Sequence, residues 1–200
     1  MKKSLLTFII VGAITASFPT AVLATEDTEV AAYRETQLGL YVTAAEAHEL
    51  MQQNDRAVLI DVRDPIEIKF TGFATPTDIH VPWVLGDREH FDVKARTWPM
   101  VRNPDFKAEV QAELEALGVD KDDPIIVMCR SGSTRSAPAA DLIAEMGYSE
   151  VYSVTDGFEG GKLEEGDSKG VRAKSGWRNS GLPWSYEVNP KVAWTPGDDR

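Results

Sequence analysis

Ile125 to Met128 is a run of four apolar residues that stops at Cys129, the only cysteine in the chain. It is bounded by Pro124 and by the polar, glycine-containing Arg130-Ser131-Gly132-Ser133, so it reads as a short strand buried on both faces. From Ser133 to Met146 the residues Ala139, Leu142, Ile143 and Met146 recur at offsets of 0, 3, 4 and 7, which predicts a helix. Cys129 is thereby placed at the C-terminal end of a buried strand, in a loop that closes onto a helix N-terminus.

The same alternation recurs along the chain. Thr43-Ala44-Ala45-Glu46 fits a capping box and opens a short helix with Ala44, Ala47, Leu50 and Met51 inside. Ala57 to Asp61 forms the next buried strand, and Pro65 disfavours helical geometry at Asp64 and turns the chain. Asn103-Pro104 starts a helix whose apolar face is Phe106, Val110, Leu114 and Leu117, with Gly118 as its C-terminal cap. A last strand falls near Glu150 to Val154. Strands alternating with helices predict an α/β fold with a parallel sheet.

The loop has chemical consequences. Unpaired amide hydrogens and the positive end of the helix dipole point into it, and Arg130 and Arg135 flank it. All three stabilise a thiolate. A thiol of pKa about 8.5 is only roughly 3 % ionised at pH 7, whereas one lowered to about 6 is roughly 90 % ionised. The loop can then hold a nucleophile without a histidine as base. A buried, inert cysteine is the alternative, and the polar loop argues against it.

Cys129-Arg130-Ser131-Gly132-Ser133-Thr134 resembles the active-site loop of the rhodanese sulfurtransferases, in the C-R-x-G-x-T form associated with thiosulfate. Leu59-Ile60-Asp61-Val62-Arg63-Asp64-Pro65 is similar to the family's first strand and its exit. Gly157-Phe158 to Trp184 resembles its closing glycine-rich segment, with a Gly-Leu-Pro-Trp end. The resemblance implies a rhodanese-like three-layer domain over residues 41–186, a central, mostly parallel sheet flanked by helices. Residues 83–103 and 157–183 are then long loops and residues 187–200 a tail. The family's Gly-His-Ile-Pro-Gly-Ala stretch is blurred here into Gly72 to Pro82, and His80 receives no catalytic role.

Met1 to Ala24 carries Lys2 and Lys3, an apolar stretch from Leu5 to Phe18 and Val22-Leu23-Ala24 before an acidic segment. This reads as a signal peptide cut after Ala24, giving a periplasmic or secreted protein. The apolar stretch spans only about 21 Å as a helix, against a hydrocarbon core of about 30 Å. No stable membrane anchor is expected after cleavage. Losing two lysines and no acids takes the formal charge from −11 to −13, which argues against nucleic acid or an anionic membrane surface as partner. One cysteine excludes an intrachain disulfide, and an exposed thiol kept in an oxidising space points to use. Residues 25–40 form a polar, loosely ordered N-terminal segment.

Asp61 and Arg63 either line the pocket beside Cys129 or form a fold-stabilising ion pair, with the second favoured. Residues 83–103 read as an irregular segment that overhangs the site or packs elsewhere. In residues 157–183 the cations Lys169, Arg172 and Lys174 either draw an anion inward or belong to a solvated loop. His48 reads as structural or exposed, His90 has no ligand-spaced partner, and no metal site is expected.

The resemblance implies covalent transfer. The Cys129 thiolate takes the outer sulfur of thiosulfate or a related anionic donor, and the persulfide passes it to cyanide, a thiol or a periplasmic acceptor protein. Arg130, Ser131, Gly132, Ser133 and Thr134 would cradle the anion, with Arg130 steering the donor and Thr134 supplying a hydroxyl; no cofactor is required. The stretch also satisfies C-x5-R-S through Arg135 and Ser136, the pattern of cysteine phosphatases and similar to the longer loop of rhodanese-fold phosphatases and arsenate reductases. The favoured reading has Arg135 begin the helix beyond a six-residue loop. A non-catalytic module that binds a ligand or a peptide is the third possibility.

Overall fold

The structure, a computed structural model, describes residues 31–197. The expected signal peptide, residues 1–24, and residues 25–30 of the polar segment lie outside the described residues. In chain order the elements are β1 Tyr41–Val42, α1 Ala44–Gln53, β2 Val58–Asp61, α2 Pro65–Thr71, β3 Phe73–Ala74, β4 Ile79–His80, β5 Val84–Gly86 and β6 Met100–Arg102. They continue with α3 Phe106–Ala116, β7 Ile125–Met128, α4 Ser136–Glu145, β8 Val151–Val154, β9 Gly161–Lys162, β10 Arg172–Lys174 and β11 Trp184–Ser185.

Five strands form one sheet in the order β1-β8-β7-β2-β4, and every pairing in it is parallel. Pleating sends alternate residues to opposite faces. Ile60, Ile125 and Val127 join Phe106, Val110 and Leu114 of α3 and Ala139, Ala140 and Ile143 of α4 in one core. Leu59, Ile126 and Met128 join Ala44 and Ala47 of α1, Phe158 and Trp177 in the other. The fold is thus the expected three-layer α/β domain, with β7 buried along its whole length.

Local signals set the helix ends. Thr43 and Glu46 form the capping box that opens α1, and the Asp156 carboxylate also accepts the Ala44 amide at 2.7 Å. Helix α3 closes in a Schellman arrangement at Gly118 (φ 65°), with Val119 N–H donating to Leu114 O and Gly118 N–H to Glu115 O, both at 3.0 Å. It opens at Phe106, later than Asn103-Pro104 suggests, because Asn103 makes a preceding turn through its side chain to the Asp105 amide.

Four expectations are corrected. Pro65 does more than turn the chain: with Asp64 as N-cap and Glu67 completing a second capping box, it begins α2. Residues 83–103 are a β5/β6 hairpin extended by an Asp92–Thr97 bridge, not an irregular segment. Residues 157–183 contain a β9/β10 hairpin, and Trp177 at their end is fully buried. The presumed tail folds back, so that Trp194 enters the α3/α4 core and its amide donates to His80 Nδ1 at 3.3 Å.

Candidate functional site

Strand β7 delivers Cys129 to the C-terminal edge of the sheet, and residues 130–135 curl over it before α4 begins at Ser136. The helix starts three residues later than its apolar repeat suggests, because Gly132 adopts φ 61° and the loop doubles back over the sulfur. An added Cβ at Gly132 would lie 2.0 Å from Thr155 O, so the loop packs backbone to backbone on the exit of β8. From the other side comes Gly157, where a Cβ would lie 2.5 Å from Cys129 O. Phe158 N–H and Glu159 N–H donate to Cys129 O at 2.9 Å and Arg130 O at 2.8 Å. Those bonds engage the loop's first two carbonyls, while amide hydrogens of Ser131 and Ser136 act on the sulfur.

The cysteine is not exposed, as the sequence reading has it. Its residue is only 1 % accessible, because the loop and α4 close over it. Burial by itself pushes the thiol pKa up. The Arg135 charge, the Ser131 amide and the hydroxyl and amide of Ser136 together outweigh it, and the thiol is held below its ordinary value. The Cys129 thiol faces Ser136 Oγ at 3.7 Å. Thr134 is exposed, and the hydroxyl at the sulfur is that of Ser136.

Arg135 is the N-cap residue of α4, where the favoured reading places it, and its charge also acts on the Cys129 thiol. Its guanidinium grips Glu67 of α2 with two prongs, Nη2 to Oε1 at 2.9 Å and Nη1 to Oε2. Burial alone would push the Glu67 pKa up, and the hydrogen bonds and charge of Arg135 bring it below the usual carboxylate range. Arg130 is held separately, its Nε donating to Glu159. Along the loop Arg130, Ser131, Ser133 and Arg135 are half-buried, Gly132 is buried and Thr134 is exposed.

Asp61 and Arg63 form a fully buried ion pair at 2.6 Å behind this loop. Arg63 also donates to Thr71 Oγ1 and Gly72 O, and its guanidinium lies 4.0 Å from the Phe158 ring centre. The pair therefore braces the fold, and among the described residues neither side chain hydrogen-bonds the thiol. Of the cations in the second long segment, Lys174 pairs with Glu164 and Arg172 donates to Gly160 O, while Lys169 is exposed. His48 stacks edge-on against Trp177, and exposed His90 pairs with Asp87. Among the described residues no group of three or more His, Cys, Asp or Glu is placed to hold a metal ion.

Sequence reasoning missed Glu67 and Glu159, and it named Ser136 only as part of the C-x5-R-S pattern, without its place at the sulfur. Asp64-Pro65-Ile66-Glu67 carries the same capping signal that identified Thr43 and Glu46, so α2 and the placement of Glu67 on its first turn were within reach. Nothing local marks Glu67 as the partner of Arg135.

The sequence model of the family described as "Rhodanese-like domain" matches residues 43–164, more than half of the chain. An uncharacterized protein of Rickettsia conorii is 29 % identical over 151 residues, covering 72 % of this chain and 96 % of that one. The crystal structure of Rv0390 from M. tuberculosis superposes with a TM-score of 0.56 at 32 % identity, covering 73 % of this chain and 96 % of that chain. The solution structure of a polysulfide-sulfur transferase homodimer from Wolinella succinogenes gives a TM-score of 0.45 at 22 % identity, over 73 % of this chain and 77 % of that one.

Proposed function

The chain belongs to the rhodanese-like domain family, and from that premise we propose that it is a sulfurtransferase working through a Cys129 persulfide. The observation that carries this reading is the placement of Cys129 at the end of β7, with its thiol 3.7 Å from Ser136 Oγ, where the Arg135 charge and the Ser131 and Ser136 amides hold it below its ordinary pKa. Arg135, two amides and the Ser136 hydroxyl do the work of a base by stabilising the product of ionisation.

The thiolate attacks the outer sulfur of thiosulfate. A new S–S bond forms, the donor's S–S bond breaks, and sulfite leaves with the electron pair. Cyanide or a thiolate then attacks the terminal sulfur, and the Cys129 thiolate is regenerated. Each step is a two-electron displacement at sulfur. Amide hydrogens of the loop, with Arg135 behind them, compensate the negative charge that stays on the persulfide. The leader pattern at Met1 to Ala24 supports export to the periplasm or beyond, where the acceptor is a small thiol or a protein thiol.

Intact mass tests the proposal. Protein lacking residues 1–24, incubated with thiosulfate, is expected to gain one sulfur, to lose it on adding cyanide and to gain none as Cys129→Ser. Absence of that gain with every sulfane donor would refute it.

One observation favours a second reading. The charge of Arg135 acts on Cys129 across a C-x5-R-S spacing, which suits an oxyanion such as phosphate or arsenate. Turnover of a phosphate ester or of arsenate without persulfide formation would select that reading. Ligand binding with no turnover at all would select a non-catalytic module.

A further inference from the structure

Residues 31–39 precede the span that the family model matches, and none of them is buried. They are nevertheless tied down. Thr36 N–H donates to Tyr41 Oη at 2.8 Å, and Gly39 N–H closes a turn onto Thr36 O at 3.1 Å, which fixes the segment to the start of β1. Gln37 donates from its amide to Asp141 Oδ1 at 2.7 Å and from Nε2 to Glu145 Oε1 at 3.3 Å, carboxylates one turn apart on α4. Arg34 Nη1 donates at 3.3 Å to Thr155 O, the carbonyl against which Gly132 packs. The side chains of Arg34 and Ser133 act on the Tyr33 hydroxyl and hold its pKa below the ordinary phenol value. The segment thus runs from α4 to the Cys129 loop, the two pieces that close over the sulfur.

Cys129 is 1 % accessible, so a reactant reaches the sulfur only after a covering piece moves. The supports of the loop differ in strength. Arg135 is gripped by Glu67 through two hydrogen bonds, and Gly157 with the Phe158 and Glu159 amides holds the other end backbone to backbone. Residues 31–39 add no buried residue, the Arg34 bond to Thr155 is long, and the buried Arg34 Nε has no hydrogen-bond partner among the described residues. A segment held by exposed hydrogen bonds without apolar burial opens at low cost. It is the support that can leave while both cores stay packed.

We propose that residues 32–37 are a strap that gates Cys129, with Tyr33 and Arg34 as positioning residues: docked, the strap ties the loop to α4 over the sulfur, and its release lets the loop open to a reactant. The proposal takes Cys129 as the reacting atom from the sulfurtransferase reading. Its readout, however, needs no sulfur transfer.

Alkylation of Cys129 by neutral reagents separates access from ionisation, since the thiolate fraction sets the pH of the inflection and access sets the plateau above it. Protein lacking residues 1–24 is compared with Tyr33→Ala and, from the other end of the strap, with Asp141→Ala. Each substitution is expected to raise the plateau rate with iodoacetamide about fivefold, the size of one lost hydrogen bond. The inflection should stay in place, because Arg135 and the Ser131 and Ser136 donors are untouched. The gain should be larger with the bulkier iodoacetanilide, which forms the same C–S bond and releases the same iodide; a change in thiol reactivity alone would raise both rates equally. The double variant should gain less than the product of the single gains, because either change frees the same strap. Circular dichroism confirms that each variant is folded, and Asp141→Ala stands in if Tyr33→Ala is not. An unchanged or lowered plateau in either folded variant, or an equal gain with the two reagents, overturns the proposal. Failure of the wild type to take up sulfur while the plateau gains hold would refute the sulfurtransferase reading and leave the strap in place.

Discussion

At the scale of single residues, two opposing effects meet on Cys129. Desolvation disfavours the thiolate, and Arg135 with the Ser131 and Ser136 donors favours it more strongly. Alkylation by iodoacetamide against pH should therefore show an inflection below about 8.5, the value for an unperturbed thiol. Arg135→Gln should move the inflection upward and slow the reaction at pH 7. Because the folded pKa is depressed, ionisation of Cys129 contributes stability above the unfolded thiol's pKa, and that contribution is lost as pH falls through the folded value. The stability difference between wild type and Cys129→Ser, measured by denaturant unfolding, should narrow over that window as pH is lowered. Asp61 offers a different residue-level test. Asp61→Asn leaves Arg63 charged and fully buried, which should cost about 3–5 kcal/mol in urea unfolding.

At the scale of elements, the site is a junction of three pieces. Strand β7 supplies the cysteine, α4 supplies Ser136, and α2 supplies the carboxylate that holds Arg135. The segment at residues 157–159 clamps the loop from beneath through Gly157 and the Phe158 and Glu159 amides. Gly157→Ala should break that clamp, since its Cβ meets Cys129 O and the loop amides at a φ of 64°. The expected result is a folded protein whose thiol inflection rises toward the free-thiol value, checked by circular dichroism and pH-dependent alkylation. Asp64 caps α2 and also accepts the Gly86 amide at 2.7 Å, which ties the end of β5 to the start of α2. Asp64→Ala should cost roughly 1–2 kcal/mol, more than an isolated cap at an exposed helix, because two amides lose their acceptor.

At the scale of the whole molecule, the domain does not end with the closing β11/β3 pair. Trp194 fills the α3/α4 core and reaches the backbone beside β4 through His80. A chain ending at residue 186 would expose that core. Trp194→Ala should lower unfolding stability by about 3–5 kcal/mol at constant m-value. The persulfide mass gain should survive wherever the variant remains folded, because the hydrogen bond of the Trp194 amide goes to His80, outside the Cys129 loop.

Residues Thr43, Glu46, Ile125 to Met128 and Gly118 could be read from the sequence alone because caps, apolar periodicity and short buried runs depend on neighbours within a few positions. The same locality made the Cys129-to-Thr134 loop and its likeness to the rhodaneses legible. Only the tertiary structure decided that Cys129 is covered, that Ser136 and not Thr134 faces it, and that Trp194 belongs to the core. It also decided which carboxylate each loop arginine meets: Glu67 lies 68 positions from Arg135, and Glu159 lies 29 from Arg130. Such pairings are fixed by packing between elements, which brings together groups that carry no mark of each other along the chain.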